Sequence, residues 1–351
     1  MTIWTRDPGR IVRPMDEPDA STQRGRGRPA ADLSAAAIVA GCIVDISGVP
    51  VALSASDDRR GGVLSAALGR LPAHAGPPVA QIAFASRIPP RPEAPPDESY
   101  AGMFHVWRRG AELYLAHGTQ TAGRVTVDGA EFGGSPTPAF RHLMPLALGH
   151  ILGFSGRFVV HAGVIGWDRK VALVFGDSGS GKSTLAIAGL QAGWRVLSDD
   201  LAIVQAHRNR VGVTTLGLPL VFPDDVLDAP IPGSRPLAGD PRHRWTLSVP
   251  RDSKWRPVSD ILLPHRDTVS GGSLAPLASL EVFEQAVSAF VAATEPLLLR
   301  RYLPIAGALS RVPGWRVGLA PDPGTRRDSL AKVLEAVLSG PAPSSKGSRG
   351  S

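Results

Sequence analysis

The chain has 351 residues, 43% of them apolar, a net charge of +7 and one cysteine, Cys42. That length suits two domains with proper cores, while a lone cysteine excludes an internal disulfide, fits a reducing cytoplasm, and leaves no Cys/His spacing suited to zinc. The excess charge is mostly arginine without an aromatic-interleaved basic patch or a helix-turn-helix pattern, so no nucleic-acid partner is expected, whereas an acidic peptide would suit the charge.

Residues 1–31 mix Pro, Gly, Arg and Asp without periodicity, include Arg24-Gly25-Arg26-Gly27-Arg28, and read as disordered. They carry no apolar core of a signal peptide. Residues 32–135 read as a strand-rich α+β domain. Phe104–Trp107 and Glu112–Leu115 form a hairpin about Arg109-Gly110, and Val125–Val127 with Gly129 begins another. Ser86–Ser99, with Pro89, Pro90, Pro92, Pro95 and Pro96, is a loop within it. A second domain, 136–339, opens with a helix over Thr137–Phe154. Its apolar part, Leu143–Phe154, carries His150 and is too short to span a bilayer, so no membrane partner is expected.

Phe158–Ile165 reads as one strand, joined by a tight turn at Trp167-Asp168-Arg169 to the apolar strand Val171–Phe175. Folding that hairpin back puts His161 opposite the end of the second strand, near Gly176. A histidine in a strand is most often structural, but this register aims it at the loop that follows. Leu185–Ala192 is the next helix, capped by Gly193, and Trp194–Ser198 the next strand. Leu201–Ala206 and Val211–Leu216 form a hairpin. Residues 223–243 are a loop rich in Pro, Asp and Gly. Arg242, His243 and Arg244 close it before the strand Trp245–Val249. The two arginines are candidates to touch a transferred phosphoryl group, against the plainer reading of a solvated loop. In Ile261–Asp267, Pro264 is expected to break the strand before Asp267 arrives. Leu277–Thr294 and Asp328–Leu338 read as helices, and 340–351 as a disordered tail.

The chemistry lies in two short runs. Gly176-Asp177-Ser178-Gly179-Ser180-Gly181-Lys182-Ser183-Thr184 follows a buried strand and opens a helix. Its glycines let backbone N–H groups approach phosphates, Lys182 brings a point charge to the β/γ-phosphates, and the Ser183 hydroxyl suits a magnesium ion. One helix later, Leu197-Ser198-Asp199-Asp200 ends a strand. A strand–helix–strand unit returns parallel, and parallel strands finish at one sheet edge, where ligands bind. Asp199 and Asp200 are therefore expected to face the phosphate loop, rather than to be solvated turn residues.

His161, the loop 176–184 and Asp199-Asp200, in this order and spacing, resemble the HPr kinase/phosphorylase family. The resemblance covers about 158–204. It implies a phosphoenolpyruvate-carboxykinase-like P-loop domain, of α/β class, below the strand-rich N-terminal domain. It also implies ATP and Mg²⁺ as cofactors and ATP-dependent phosphorylation of a serine in a protein or peptide. By the same resemblance Lys182 holds phosphates, Ser183 and Asp199 serve the metal, Asp200 accepts the serine proton, and His161 is an active-site residue. Where that family has Lys-Ser-Glu this loop has Lys182-Ser183-Thr184, and the first glutamate after Ser183 is Glu281. The glutamate-bearing signature of the HPr-recognition region is absent too. The chain is thus similar to the divergent relatives found beside ribosomal-peptide genes, lasso peptides among them, which phosphorylate a precursor-peptide serine. The family's best-known members are hexamers, which leaves a homo-oligomer open. Two other readings stay open: a nucleotide-binding regulator or ATPase without an acceptor, and a small-molecule kinase acting on free serine.

Overall fold

The structure is a computed structural model that describes residues 38–68, 71–100, 104–109, 112–118, 121–134, 143–167, 170–177, 179–207, 210–223, 231–237, 244–249, 254–266, 273–292, 295–320 and 337. The expected disordered ends, the start of the helix at Thr137, the turn residues Asp168 and Arg169, all but Val337 of the helix 328–338, and the candidate site residues Ser178 and Arg242 lie outside the described residues.

The chain is of mixed α/β class. Its N-terminal half contains β1 (Cys42–Ile46), β2 (Val49–Ala55), α1 (Asp58–Leu68), β3 (Ala80–Ala85), β4 (Glu98–Tyr100), β5 (Phe104–Arg109), β6 (Glu112–His117), β7 (Thr121–Thr126) and β8 (Gly129–Gly134). They form one mixed sheet in the order β1-β2-β3-β8-β7-β6-β5-β4. Strand β2 shows why it forms: Val49, Val51, Leu53 and Ala55 alternate inward, one face buried and one not. Ser47 and Gly48, both at positive φ, make the two-residue turn that joins it to β1, with Ile46 opposite Val49. The expected hairpins β5–β6 and β7–β8 are present.

The C-terminal half runs α2 (Met144–Phe154), β9 (Phe158–His161), β10 (Gly163–Trp167), β11 (Lys170–Val174), α3 (Lys182–Gln191), β12 (Arg195–Ser198), β13 (Leu201–His207), β14 (Arg210–Thr214), β15 (Leu220–Phe222), β16 (Arg235–Pro236), β17 (Trp245–Leu247), β18 (Arg256–Pro257), β19 (Asp260–Arg266), β20 (Leu274–Pro276), α4 (Ser279–Ser288), α5 (Pro296–Leu309) and β21 (Gly314–Leu319). Three sheets result: β12-β10-β11-β19-β21-β20, β18-β14-β13-β9, and the small β15-β17-β16. No helix among the described residues is long and apolar enough to cross a membrane.

One apolar cluster joins the halves. It runs from Val51, Leu53, Phe84 and Phe132 of the first sheet through Ala147, Leu148 and Ile151 of α2 to Val159, Leu201 and Ile203. The core therefore continues across 135/136, and burial of this shared surface ties the first sheet to the second half.

Two expectations are corrected. Phe158–Ile165 is not one strand. The N–H of Ala162 donates to Val160 O at 3.0 Å, a tight turn centred on His161. It sends β9 into one sheet and β10 into another. His161 therefore pairs with Leu201 in strand register and not with Gly176. Pro264 does not break β19, which runs through it to Arg266. The carbonyl of Leu262 accepts from Phe175 N–H, so even-numbered residues of β19 direct their backbone groups towards β11. Pairing with β11 ends at Leu262, so at Pro264 no ladder bond is lost.

Candidate active site

The site is built at one sheet edge. Strand β10 is antiparallel to both β11 and β12, so β11 and β12 are parallel to each other and finish at the same edge. Beyond β11 the chain turns into the loop; beyond β12 come Asp199 and Asp200. Val171 to Val174 are all buried, so an almost continuous apolar strand anchors the loop from below.

The loop needs its glycines. Gly176, Gly179 and Gly181 all have positive φ. A Cβ at Gly176 would lie 2.5 Å from Ser180 Oγ, and one at Gly181 would overlap Leu319 Cδ1. Gly181 then caps α3, whose first residue is Lys182, so the open N–H groups of the first turn point at the loop. Gly193, also at positive φ, closes the far end of that helix as expected. Ser183 and Thr184 lie half-buried in the first turn.

Lys182 is buried, and its ammonium donates to Gly176 O at 2.6 Å and Asp177 O at 3.0 Å. Burial pulls its pKa down, and the charges of Asp200, Asp177 and Asp199 oppose that pull. All three carboxylates thus stand within electrostatic reach of one ammonium.

The aspartate pair sits in a turn organised by Ser198. This buried hydroxyl donates to Leu201 O at 2.8 Å and accepts from Leu201 N–H at 3.2 Å. The turn separates the two carboxylates. Asp199 is half-buried, and its Oδ2 accepts from Val221 N–H of β15 at 3.0 Å. Burial, reinforced by the charge of Asp200, pushes its pKa up to about 7, with Val221 N–H and Lys182 acting the other way. Asp200 keeps 62% of its side chain exposed, and its Oδ1 lies 3.2 Å from His161 Nδ1. Burial holds the His161 imidazole below its ordinary pKa; Asp200 raises it, Lys182 lowers it again, and Asp177 raises it. At neutral pH the ring is then uncharged, and Nδ1–H can donate to the carboxylate.

The structure therefore brings His161, Asp177, Lys182, Asp199 and Asp200 together. Arg244 belongs to the small sheet that holds Asp199: its carbonyl accepts from Leu237 N–H at 2.8 Å, just before β17, the strand paired with β15. Glu281 is engaged elsewhere. It accepts from Ala278 N–H at 2.9 Å in the first turn of α4 and pairs with Arg316, so it is no ligand for a metal at the loop. Two contributors escaped the sequence reading. Ser198 had a local signal, a serine ahead of two aspartates where side-chain-bonded turns form. Val221 had none, because its part is played by a backbone N–H from a distant strand.

Magnesium held with a nucleotide needs only one or two carboxylates besides phosphates and water. Ser183 and the second oxygen of Asp199 fit that need: both are hard oxygen donors at the edge where the glycines leave room for an anion.

No family model matches the chain, and no curated protein matches it. Among solved structures it is similar to the Hpr(Ser) kinase/phosphatase from Coxiella burnetii, at 12% identity, over 52% of this chain and 88% of that one, with a TM-score of 0.27. A superposition that loose fixes neither the fold in detail nor the activity.

Proposed function

We propose that the chain is an ATP-dependent kinase that transfers the γ-phosphate to a serine hydroxyl of a peptide or protein, with a phosphoenolpyruvate-carboxykinase-like P-loop domain. The observation that carries this reading is the meeting of a Lys182-bearing phosphate loop with two differently held aspartates at one sheet edge. A nucleotide-binding regulator needs the loop but has no use for a carboxylate exposed to solvent and braced by a histidine.

In this reading the loop N–H groups and Lys182 hold the phosphates in place. Ser183 and Asp199 would hold magnesium, which would supply charge neutralisation to the phosphates. Asp200, oriented by His161, accepts the proton of the serine hydroxyl as its oxygen attacks phosphorus and ADP leaves. Arg242 and Arg244 are proposed to steady the phosphoryl group. A precursor peptide of the ribosomal or lasso type is the proposed acceptor, the site is proposed to act in the cytoplasm, and association into a homo-oligomer belongs to the same proposal.

The test is incubation with ATP, magnesium and serine-containing precursor peptides of the ribosomal or lasso type. Phosphate mass on a serine and ADP release that depends on the peptide support the kinase. ADP release that is the same with and without every peptide offered supports the ATPase reading instead. Release that depends on free serine moves the assignment to a small-molecule kinase.

A further inference from the structure

The geometry points to His265 as a further contact for the nucleotide's phosphates, an inference that rests on the phosphate-loop reading above. Strand β19 lies beside β11 and parallel to it, and their pairing ends at Val174 opposite Leu262. There β11 turns away into the loop, while β19 continues through Leu263, Pro264 and His265 to Arg266, held on its other side by β21, with His265 opposite Gly318. His265 therefore stands about 10 Å beyond the last paired residue, at 3.3 Å per residue. That overshoot lies at the sheet edge where β11 passes into the loop and α3 begins.

The end of β19 is in contact with the loop. The position of a Cβ on Gly176 is 3.5 Å from Leu263 Cδ1, and that on Gly181 is 3.7 Å from Pro264 Cβ. Side chains alternate along a strand, so His265 shares a face with Leu263, the residue against Gly176. His265 is half-buried, and its Nδ1 is shut off from water without a hydrogen-bond partner among the described residues. Ser180 Oγ, the atom nearest the Gly176 Cβ position, is the same. Buried ring nitrogens are as a rule paired. Two unpaired polar atoms on one flank of an anion-binding loop mark where a ligand's acceptors belong. A phosphate oxygen held on the loop would supply the acceptor that Nδ1–H lacks. Strand β19 runs through its own proline here because its neighbour β11 has left to form the loop.

The experiment is calorimetry of ADP binding to the full chain for the wild type, Lys182→Ala, His265→Ala and His265→Asn, with a thermal melt of each without nucleotide. Asparagine places an N–H donor near the position of Nδ1. The expected result is ADP binding by the wild type, weakened about 10- to 100-fold in His265→Ala, as for a lost hydrogen bond to a charged group, and largely restored in His265→Asn, with melting temperatures unchanged. Wild-type affinity in His265→Ala, beside weakened binding in Lys182→Ala, overturns the role of His265 and leaves the loop reading standing. A wild type that binds no ADP overturns both. Equal loss in the alanine and asparagine variants together with lowered melting temperatures makes His265 a packing residue and overturns the inference.

Discussion

Two places in this molecule hold an irregular backbone tightly, and they do it with opposite chemistry. One is the loop at Gly176–Lys182. The other is the proline-rich segment that crosses the first sheet, where Trp107 Nε1 donates to Ala94 O and Tyr114 OH to Pro89 O, each at 2.7 Å. The Trp107 and Tyr114 rings meet edge-on at 5.3 Å, and the Arg91 guanidinium covers the indole at 4.9 Å. Gly133 lets the segment begin, because a Cβ there would overlap the backbone of Arg87 and Ile88. This segment is held by neutral donors on buried aromatics, an arrangement that stabilises. The loop is held by the buried Lys182 ammonium, which donates to Gly176 O and Asp177 O, and burial shifts the pKa of Lys182 down and that of Asp199 up. Burying charge costs stability, and sites that accept that cost are where chemistry is found. The hold on the proline-rich segment and the chemistry at the loop therefore rest on different contacts, and variants at one place should leave the other's property alone.

The largest expected effect is on transfer. Asp200→Asn keeps the shape but cannot accept a proton, so phosphoryl transfer should fall roughly 10²–10⁴-fold, with the unfolding midpoint in urea unchanged. Lys182→Ala should cost roughly 10²–10³-fold, as for a lost electrostatic clamp. If either variant transfers phosphate at the wild-type rate, the edge holds no active site and the contrast disappears.

The mirror experiment is Trp107→Ala. Removing a fully buried indole should destabilise by about 3–5 kcal/mol and expose Ser86–Ser99 to proteolysis, while the folded enzyme keeps its rate per molecule. A rate that falls along with stability would mean that the first sheet shapes the site through the shared core.

What the chain disclosed in advance was local. The loop, its helix and the Gly193 cap were legible because glycines, a lysine and a flanking apolar strand sit within a few residues of each other. The aspartate pair was legible because a short crossover fixes its edge. What stayed hidden depends on partners distant in sequence. Nothing near Ala162 announces that the chain must leave one sheet for another. Pro264 reads as a breaker until one knows that β11 has turned away. The bonds that Trp107 and Tyr114 make to the proline segment, like the clamp of Val221 on Asp199, are contacts to backbone atoms, which carry no residue signature.

Asp199 offers a finer test of the same contrast. With its pKa raised to about 7, it is partly protonated at neutral pH, and a metal ion binds only its ionised form. The magnesium concentration for half-maximal transfer should therefore fall as pH rises from 6 to 8. Asp199→Asn should raise that concentration and flatten its pH dependence. If excess magnesium rescues Asp200→Asn and not Asp199→Asn, the two roles are exchanged, and the pair must be treated as one coupled unit.

The smallest effect concerns a charge that the fold refuses. His150 of α2 is 2% exposed, edge-on to Phe154 at 5.1 Å, with neither ring nitrogen partnered. Burial lowers its pKa, and Glu295 only partly offsets this. The folded ring thus stays neutral while the unfolded chain takes up a proton as pH falls below about 6.5. The unfolded state then binds more protons, so this residue contributes a loss of stability as pH drops from about 6.5 towards the lower folded value. His150→Leu removes the unpaired nitrogens and the titration together at similar volume. It should stabilise by about 1 kcal/mol at pH 7.5, at the low end of the cost of a buried unmade hydrogen bond. It should also gain further on the wild type at pH 5.5, where other groups titrate alike in both proteins. Urea unfolding at the two pH values measures this difference directly. A variant less stable at pH 7.5, with an unchanged gap at pH 5.5, would show that the ring is satisfied and that this buried polar group, unlike those at the loop, costs the fold nothing.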